Sequence, residues 1–234
     1  QKGETPNPIN DPMKEKDLSC YHPGVNPRKI QFLTKHMHPK SVLDVGCGNG
    51  LYTLACQHIC PSILQVDIVD RRNKQASKLP FRTIDAENIS KIEQSFDNII
   101  AFDLIEHLDD DVKFLKSVYN LLNSGGKLFV SVPNEDNSLL KKLNLAHIHF
   151  TDKTHRREYS ATTLQTKLEE AGFCVIEIVP HINNSIVKLP KILEKNTLLS
   201  RIIAKLITYQ IRGLEKLGIF ENRVVADWFA VVNK

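Results

Sequence analysis

The chain has 234 residues, a length that suits one α/β domain with additions. Charged residues at 25% and hydrophobic ones at 41% are the balance of a globular protein and exclude a disordered or membrane-embedded chain. The net charge of +4 is too mild to imply nucleic acid by itself. The five cysteines (Cys20, Cys47, Cys56, Cys60 and Cys174) are odd in number and form no C-x-x-C pair, which points to a reducing, cytoplasmic compartment.

Residues 1–20 are rich in Pro, Asn, Asp and Lys and read as a loose arm. Asn26 followed by Pro27 is a helix start, an N-cap with proline at the first helical position. The helix carries Ile30, Leu33 and Met37 on one face and ends before Pro39. Val42 to Val45 is a short buried strand, apolar except for Asp44, and glycines follow at 46, 48 and 50. Leu51-Tyr52-Thr53-Leu54-Ala55 then opens a second helix. A strand running through glycines into a helix brings backbone N–H groups close to a ligand, because glycine lacks the Cβ that would block the approach. The dinucleotide pattern G-x-G-x-x-G is not met, since its third glycine would fall at Leu51. An acid stands two residues before the first glycine instead. A carboxylate there repels a pyrophosphate and suits an ammonium group, which disfavours NAD.

Ile63 to Asp67 is the second strand, and Asp67 stands 23 positions after Asp44. That is close to the offset of about 20 at which an acid accepts ribose hydroxyls in nucleotide-binding βαβ units. Phe81 to Ala86 is the third strand and its exit, and Phe96 onward the fourth. Asp109-Asp110-Asp111 precede a helix with Val112, Leu115, Val118, Tyr119 and Leu122 at helical spacing; acids are favourable at a helix N-terminus without any catalytic role. Asn123-Ser124-Gly125-Gly126 ends that helix, and Lys127 to Pro133 is the fifth strand. Residues 134–159 form a long polar connection with a short helix around Ser138 to Leu145 and with His147, His149, His155, Arg156, Arg157 and Tyr159. A connection of this length leaving the carboxyl end of a strand is placed to touch ligands. Ser160 caps a further helix, Phe173 to Val179 is the sixth strand, and Val224 to Val232 is the last. Between them an apolar stripe from Leu199 to Leu217 is interrupted by Arg201, Lys205, Arg212 and Lys216. It does not span a membrane; residues 186–222 read as a lid, a dimer surface or an interfacial helix in peripheral contact with an anionic membrane.

Asp44-Val45-Gly46-Cys47-Gly48-Asn49-Gly50 resembles the first motif of class I S-adenosylmethionine-dependent methyltransferases. The turn Phe102-Asp103-Leu104-Ile105-Glu106-His107 resembles the family's fourth motif in small-molecule enzymes, and it lacks the Asn/Asp-Pro-Pro-Tyr sequence of amino-directed nucleic-acid methyltransferases. The resemblance implies a Rossmann-like seven-stranded sheet, mostly parallel with the last strand antiparallel and flanked by helices. In this chain residues 1–25 would be the arm, a possible cover for the ligand, and 26–234 the methyltransferase domain, with a helical insertion at about 182–222 before the last strand. It also implies S-adenosyl-L-methionine as cofactor, leaving as S-adenosyl-L-homocysteine. The contacts expected from it are Asp44, Gly46, Cys47, Gly48, Gly50, Asp67, Ile68, Asp85, Ala86, Phe102 and Asp103, with Asp44 facing the amino group and Asp67 the ribose.

His107 is the candidate general base, and Tyr21, His155, Arg156 and Tyr159 are candidate substrate contacts. The expected acceptor is an oxygen, less readily a nitrogen, of a small-molecule, glycan or lipid-linked compound. No nucleic-acid partner is expected. Asp103, Glu106 and His107 at spacing 0, 3, 4, joined by His147, His149 or His155, would make a mixed oxygen/nitrogen site. With Asp103 at the first position and no matching histidine pair evident, no metal is assigned. A metal-dependent RNA 2′-O-methyltransferase and a non-catalytic S-adenosylmethionine-binding protein remain the alternatives.

Overall fold

A computed structural model describes residues 25–134, 154–181 and 225–234, together with Leu206, Tyr209, Gln210 and Gly213 as isolated helical positions. Among the described residues seven strands form one sheet: β1 (Ser41–Val45), β2 (Ser62–Asp67), β3 (Phe81–Thr83), β4 (Phe96–Phe102), β5 (Leu122–Pro133), β6 (Cys174–His181) and β7 (Asp227–Asn233). Their spatial order is β3-β2-β1-β4-β5-β7-β6. The first five are parallel, whereas β7 lies between β5 and β6 and runs antiparallel to both. The chain winds outward from β1 to β3, then returns to place β4 on the other side of β1. A crevice forms at such a reversal, above the carboxyl ends of β1 and β4.

Among the described residues four α-helices flank the sheet: α1 (Pro27–His36), α2 (Leu51–Cys56), α3 (Asp111–Leu121) and α4 (Ala161–Glu170). The α1 start is built as its sequence predicts, with the Asn26 side chain accepting the Arg28 N–H at 3.0 Å and Pro27 in the first turn. Parallel strands are covered on both faces, which is why β1 and β4 read as nearly continuous apolar runs. Side chains alternate across the sheet. Ile99 and Ala101 of β4 point into the larger core with Phe114, Leu115, Leu164 and Leu168, and Ile100 and Phe102 into the other with Phe32, Leu33 and Phe129.

Some boundaries differ from the sequence reading. β5 begins at Leu122, not Lys127, because Leu122 already pairs with Phe96. The next paired residue on β5 is Lys127, opposite Asn98, so Asn123 to Gly126 bulge out of register. β7 begins at Asp227, and β6 extends to His181. Among the described residues no helix is long and apolar enough to cross a membrane. Cys47, Cys56 and Cys60 are buried free thiols and Cys174 is exposed. The arm with Tyr21, the short helix near 138–145, His147, His149 and most of the 182–222 insertion lie outside the described residues.

Candidate active site

Strands β3, β2, β1 and β4 are neighbours, so their carboxyl ends share one edge of the sheet. Every described residue expected to hold the cofactor belongs to one of these ends or to the turn after it. The loop after β1 is fastened to β2, since the N–H groups of Gly46 and Cys47 both donate to the Val66 carbonyl, at 2.9 and 3.1 Å. Gly50 has φ +74°, and a Cβ on it would stand 2.5 Å from the Ala76 Cβ. Gly48, at φ +53°, is different: nothing lies within 4 Å of where its Cβ would be, and its N–H donates to Asp67 Oδ2 at 2.8 Å. The loop thus has a bare-backboned, open crest beside an acid already oriented by that backbone. These features fit an adenosine compound, with Asp67 at the ribose.

Asp67 Oδ1 accepts the Ile68 N–H at 2.7 Å, which turns the Ile68 side chain outward, where it is 60% exposed beside the edge. Asp85 caps the short 3₁₀ turn Ala86–Lys91 by accepting the Glu87 N–H at 3.0 Å. The Phe102 ring packs edge-on against Tyr52, with centroids 5.2 Å apart. The Cys47 thiol is pushed up by burial and by the charges of Asp44 and Asp67, so it is no nucleophile.

Asp44 is enclosed beneath the loop. It is only 3% exposed, and its carboxylate accepts the Thr53 hydroxyl from α2. Burial raises its pKa to about 7, against the hydrogen bond from Thr53. Asp44, expected to face the cofactor's amino group, commonly through water, thus lies under the loop with one carboxylate oxygen already engaged by Thr53.

Lys29 is a residue that the sequence reading missed. It is 4% exposed, and its ammonium pairs with the Asp103 carboxylate. It lies 5.0 Å from the Phe102 ring centroid, 5.5 Å from that of Phe229 and 5.7 Å from that of Tyr52. Desolvation works to lower the lysine's pKa, but Asp103, with help from Tyr52 and Asp227, more than offsets it and the net direction is upward. The available signal was its position on α1, four residues before Leu33 and so on the apolar stripe.

The turn after β4 meets the segment preceding α4. His107 Nδ1 lies 3.0 Å from the Thr154 hydroxyl and 3.3 Å from its carbonyl, and the His155 ring stands edge-on to His107 at 4.7 Å. In the tautomer whose Nδ1–H donates to the Thr154 carbonyl, Nε2 is left as the acceptor a general base needs. The Arg156 N–H donates to the Glu106 carbonyl at 2.9 Å, and its guanidinium pairs with Asp109. Three expected residues, His107, His155 and Arg156, are therefore neighbours. Glu106 joins them, 1% exposed, its pKa driven well above the ordinary carboxyl range by burial. One of its carboxylate oxygens, Oε2, has no hydrogen-bond partner among the described residues.

Tyr159 is corrected. It is 1% exposed, and its hydroxyl donates to Asp111 Oδ2 at 2.8 Å, inside the core between α3 and α4. A side chain spent in this way is not presented to a substrate. The mixed oxygen/nitrogen group weighed from the sequence is brought together only in part. Asp103 faces Lys29 and Ser131, whereas Glu106, His107 and His155 each offer a ligand atom within 4.8 Å of the others.

A family profile described as a methyltransferase domain matches residues 21–178. The chain is 30% identical over 122 residues to the ubiquinone biosynthesis O-methyltransferase of Coxiella burnetii (strain Dugway 5J108-111), covering 48% of this chain and 52% of that protein. It is 28% identical over 162 residues to the human mitochondrial ubiquinone biosynthesis O-methyltransferase, covering 61% and 44%. The chain thus spans about half the length of the curated relatives it matches. Among solved structures, a SAM-dependent methyltransferase from Archaeoglobus fulgidus superposes with a TM-score of 0.57 at 20% identity, over 88% of this chain and 91% of that one. N-methyltransferase NodS from Bradyrhizobium japonicum, in complex with S-adenosyl-L-homocysteine, gives 0.54 at 14% identity, over 97% and 89%. At such identities the likeness is one of fold. With two thirds of its length matched by the domain profile, and with the strand order and glycine loop described above, the chain belongs to the methyltransferase-domain family of the class I S-adenosylmethionine-dependent superfamily.

Proposed function

We propose that the protein is an S-adenosylmethionine-dependent methyltransferase acting on an oxygen of a small-molecule acceptor of hydroxylated, quinone-precursor type. The observation that carries this reading is the open crest at Gly48 with its N–H held on Asp67. S-adenosylmethionine would supply a methyl group already activated by a positive sulfur. The chain's part is then to align the acceptor, exclude water and accept a proton. Alignment of this kind is worth roughly 7–11 kcal/mol of barrier. His107, oriented by Thr154, is the group placed to take the acceptor's hydroxyl proton at Nε2, worth about 10²–10⁴-fold. The preference for oxygen over nitrogen draws support from the names of the relatives, which are O-methyltransferases.

A second reading adds a divalent cation at Glu106, His107 and His155, favoured by the Glu106 oxygen in that group that has no partner among the described residues. Such an ion would polarise an acceptor hydroxyl as a Lewis acid and take over part of the base's task. Calorimetry with S-adenosyl-L-homocysteine against NAD tests the cofactor; binding of NAD in its place refutes the main proposal. Methyl transfer to catechol-type acceptors and to RNA, each with and without a chelator, tests the acceptor and the ion. Transfer to RNA alone would refute the small-molecule assignment. Peripheral membrane contact through 186–222 stays a proposal, checked by liposome pelleting with and without that segment.

A further inference from the structure

We propose that Lys29 is a positioning residue of the methyl-transfer cleft: paired with Asp103, it cancels that carboxylate's charge where a cationic donor would lie. The inference rests on the S-adenosylmethionine reading above.

Asp103 is held with unusual care. It has φ +50°, and among the described residues it is the one non-glycine position with positive φ. Its N–H donates to the Ser131 carbonyl at 3.0 Å, and the Ser131 hydroxyl donates to its Oδ1 at 2.7 Å. Lys29 occupies Oδ2. The side chain nevertheless keeps about half its surface exposed, at 54%. The next residue, Leu104, packs against the glycine loop, its Cδ1 only 3.0 Å from where a Cβ on Gly46 would stand. The Asp103–Leu104 corner therefore abuts the cofactor loop, at the crevice beside β1. Backbone strain concentrated at such a corner is an indication of function.

Packing does not explain the lysine. Its aliphatic stem and ammonium fill a box of three aromatic rings that a methionine would fill as well, without desolvating a charge. What an apolar residue cannot supply is a positive charge against Asp103. Asp227 and Glu106 also act on the lysine, but Asp227 is bonded to His181 at 3.0 Å and Glu106 is buried with its carboxyl pushed toward the neutral form.

The consequence for catalysis follows from differential binding. A methyl donor carries its full positive charge before transfer and less of it in the transition state. An uncompensated carboxylate beside it stabilises the starting complex more than the transition state, which tightens binding and slows turnover. Lys29 removes that bias while Asp103 keeps its fixed place in the corner.

The test is a double-mutant cycle read by binding, with Kd measured for S-adenosylmethionine, which bears the sulfonium, and for S-adenosylhomocysteine, which does not. In Lys29→Met the ratio Kd(homocysteine form)/Kd(methionine form) should rise about tenfold, a coupling of ordinary size. In Asp103→Asn it should fall, and in the double variant return to within about twofold of the wild type. Lys29→Arg keeps the charge and should keep the ratio. It serves as the decisive variant if Lys29→Met fails to fold, since an altered ratio in the arginine form would refute the charge argument. Equal changes in both Kd values for Lys29→Met would mean a merely structural lysine and overturn the inference. A wild-type chain that binds neither compound would instead refute the cofactor reading and this inference with it.

Discussion

The backbone N–H of Gly48 donates to Asp67 Oδ2 over 2.8 Å, so the bend after β1 and the acid ending β2 are one unit. The loop cannot shift without releasing the carboxylate, and the carboxylate cannot swing away without giving up a charge-assisted bond. An acid proposed to take ribose hydroxyls is thereby aimed in advance. Replacing Asp67 with Ala should lower the affinity for S-adenosylhomocysteine by about 10–100-fold, the worth of hydrogen bonds to a charged group. Calorimetry measures this, and an unchanged Kd would remove Asp67 from the cofactor site.

Two glycines of the same loop should respond differently to substitution. In Gly50→Ala the new Cβ would meet Ala76 Cβ at 2.5 Å and Gln65 Nε2 at 2.7 Å, with φ at +74°. The clash and the backbone strain together should cost about 2–4 kcal/mol of stability in urea unfolding. Gly48→Ala meets no neighbour within 4 Å, so only the strain of φ +53° applies, about 1–2 kcal/mol. Its larger effect should be on cofactor binding, because the added methyl stands on the open crest.

Asp44 makes stability depend on pH in a direction opposite to that of an ordinary paired carboxylate. Its folded pKa of about 7 lies above the ordinary value of 3.8. Between those two values the folded state holds a proton that the unfolded state has lost, so stability declines as pH rises and levels off above about 7. Asp44→Asn keeps an acceptor for the Thr53 hydroxyl and removes the titration. From pH 5 to pH 8 the wild type should lose about 2–3 kcal/mol more than this variant, by denaturant midpoints at the two pH values.

Tyr159→Phe separates a core role from a substrate role. The hydroxyl is bonded to Asp111, whose pKa is raised by burial but brought below the ordinary value by Lys167, Tyr159 and Arg157 together. Losing it should cost about 1–2 kcal/mol of stability and leave the acceptor KM unchanged. A raised KM with stability intact would restore Tyr159 to the substrate site.

His107→Gln should lower kcat by about 10²–10⁴-fold if the imidazole is the base. The Kd for S-adenosylhomocysteine should stay within about twofold, since His107 faces Thr154 and His155 and not the glycine loop. Loss of cofactor binding instead would place this side chain on the donor side.

From its order of residues alone, the chain determined its strands, its glycine bend and the two acids at the ends of β1 and β2. These depend on local rules: alternation or unbroken runs of apolar residues, the conformational freedom of Gly48, and a fixed offset to Asp67. The parallel sheet with an antiparallel last strand followed from the resemblance those motifs carry. Tertiary structure decided how each charged or polar side chain is used. Lys29 meets Asp103 across 74 positions of sequence, and Tyr159 meets Asp111 across 48. No spacing rule reaches that far. That Asp44 is enclosed beside Thr53 of α2 is a matter of packing, and burial then sets its protonation. Periodicity can mark which face of an element is covered; only the packed neighbours fix the solvation and the partner on which a charge depends.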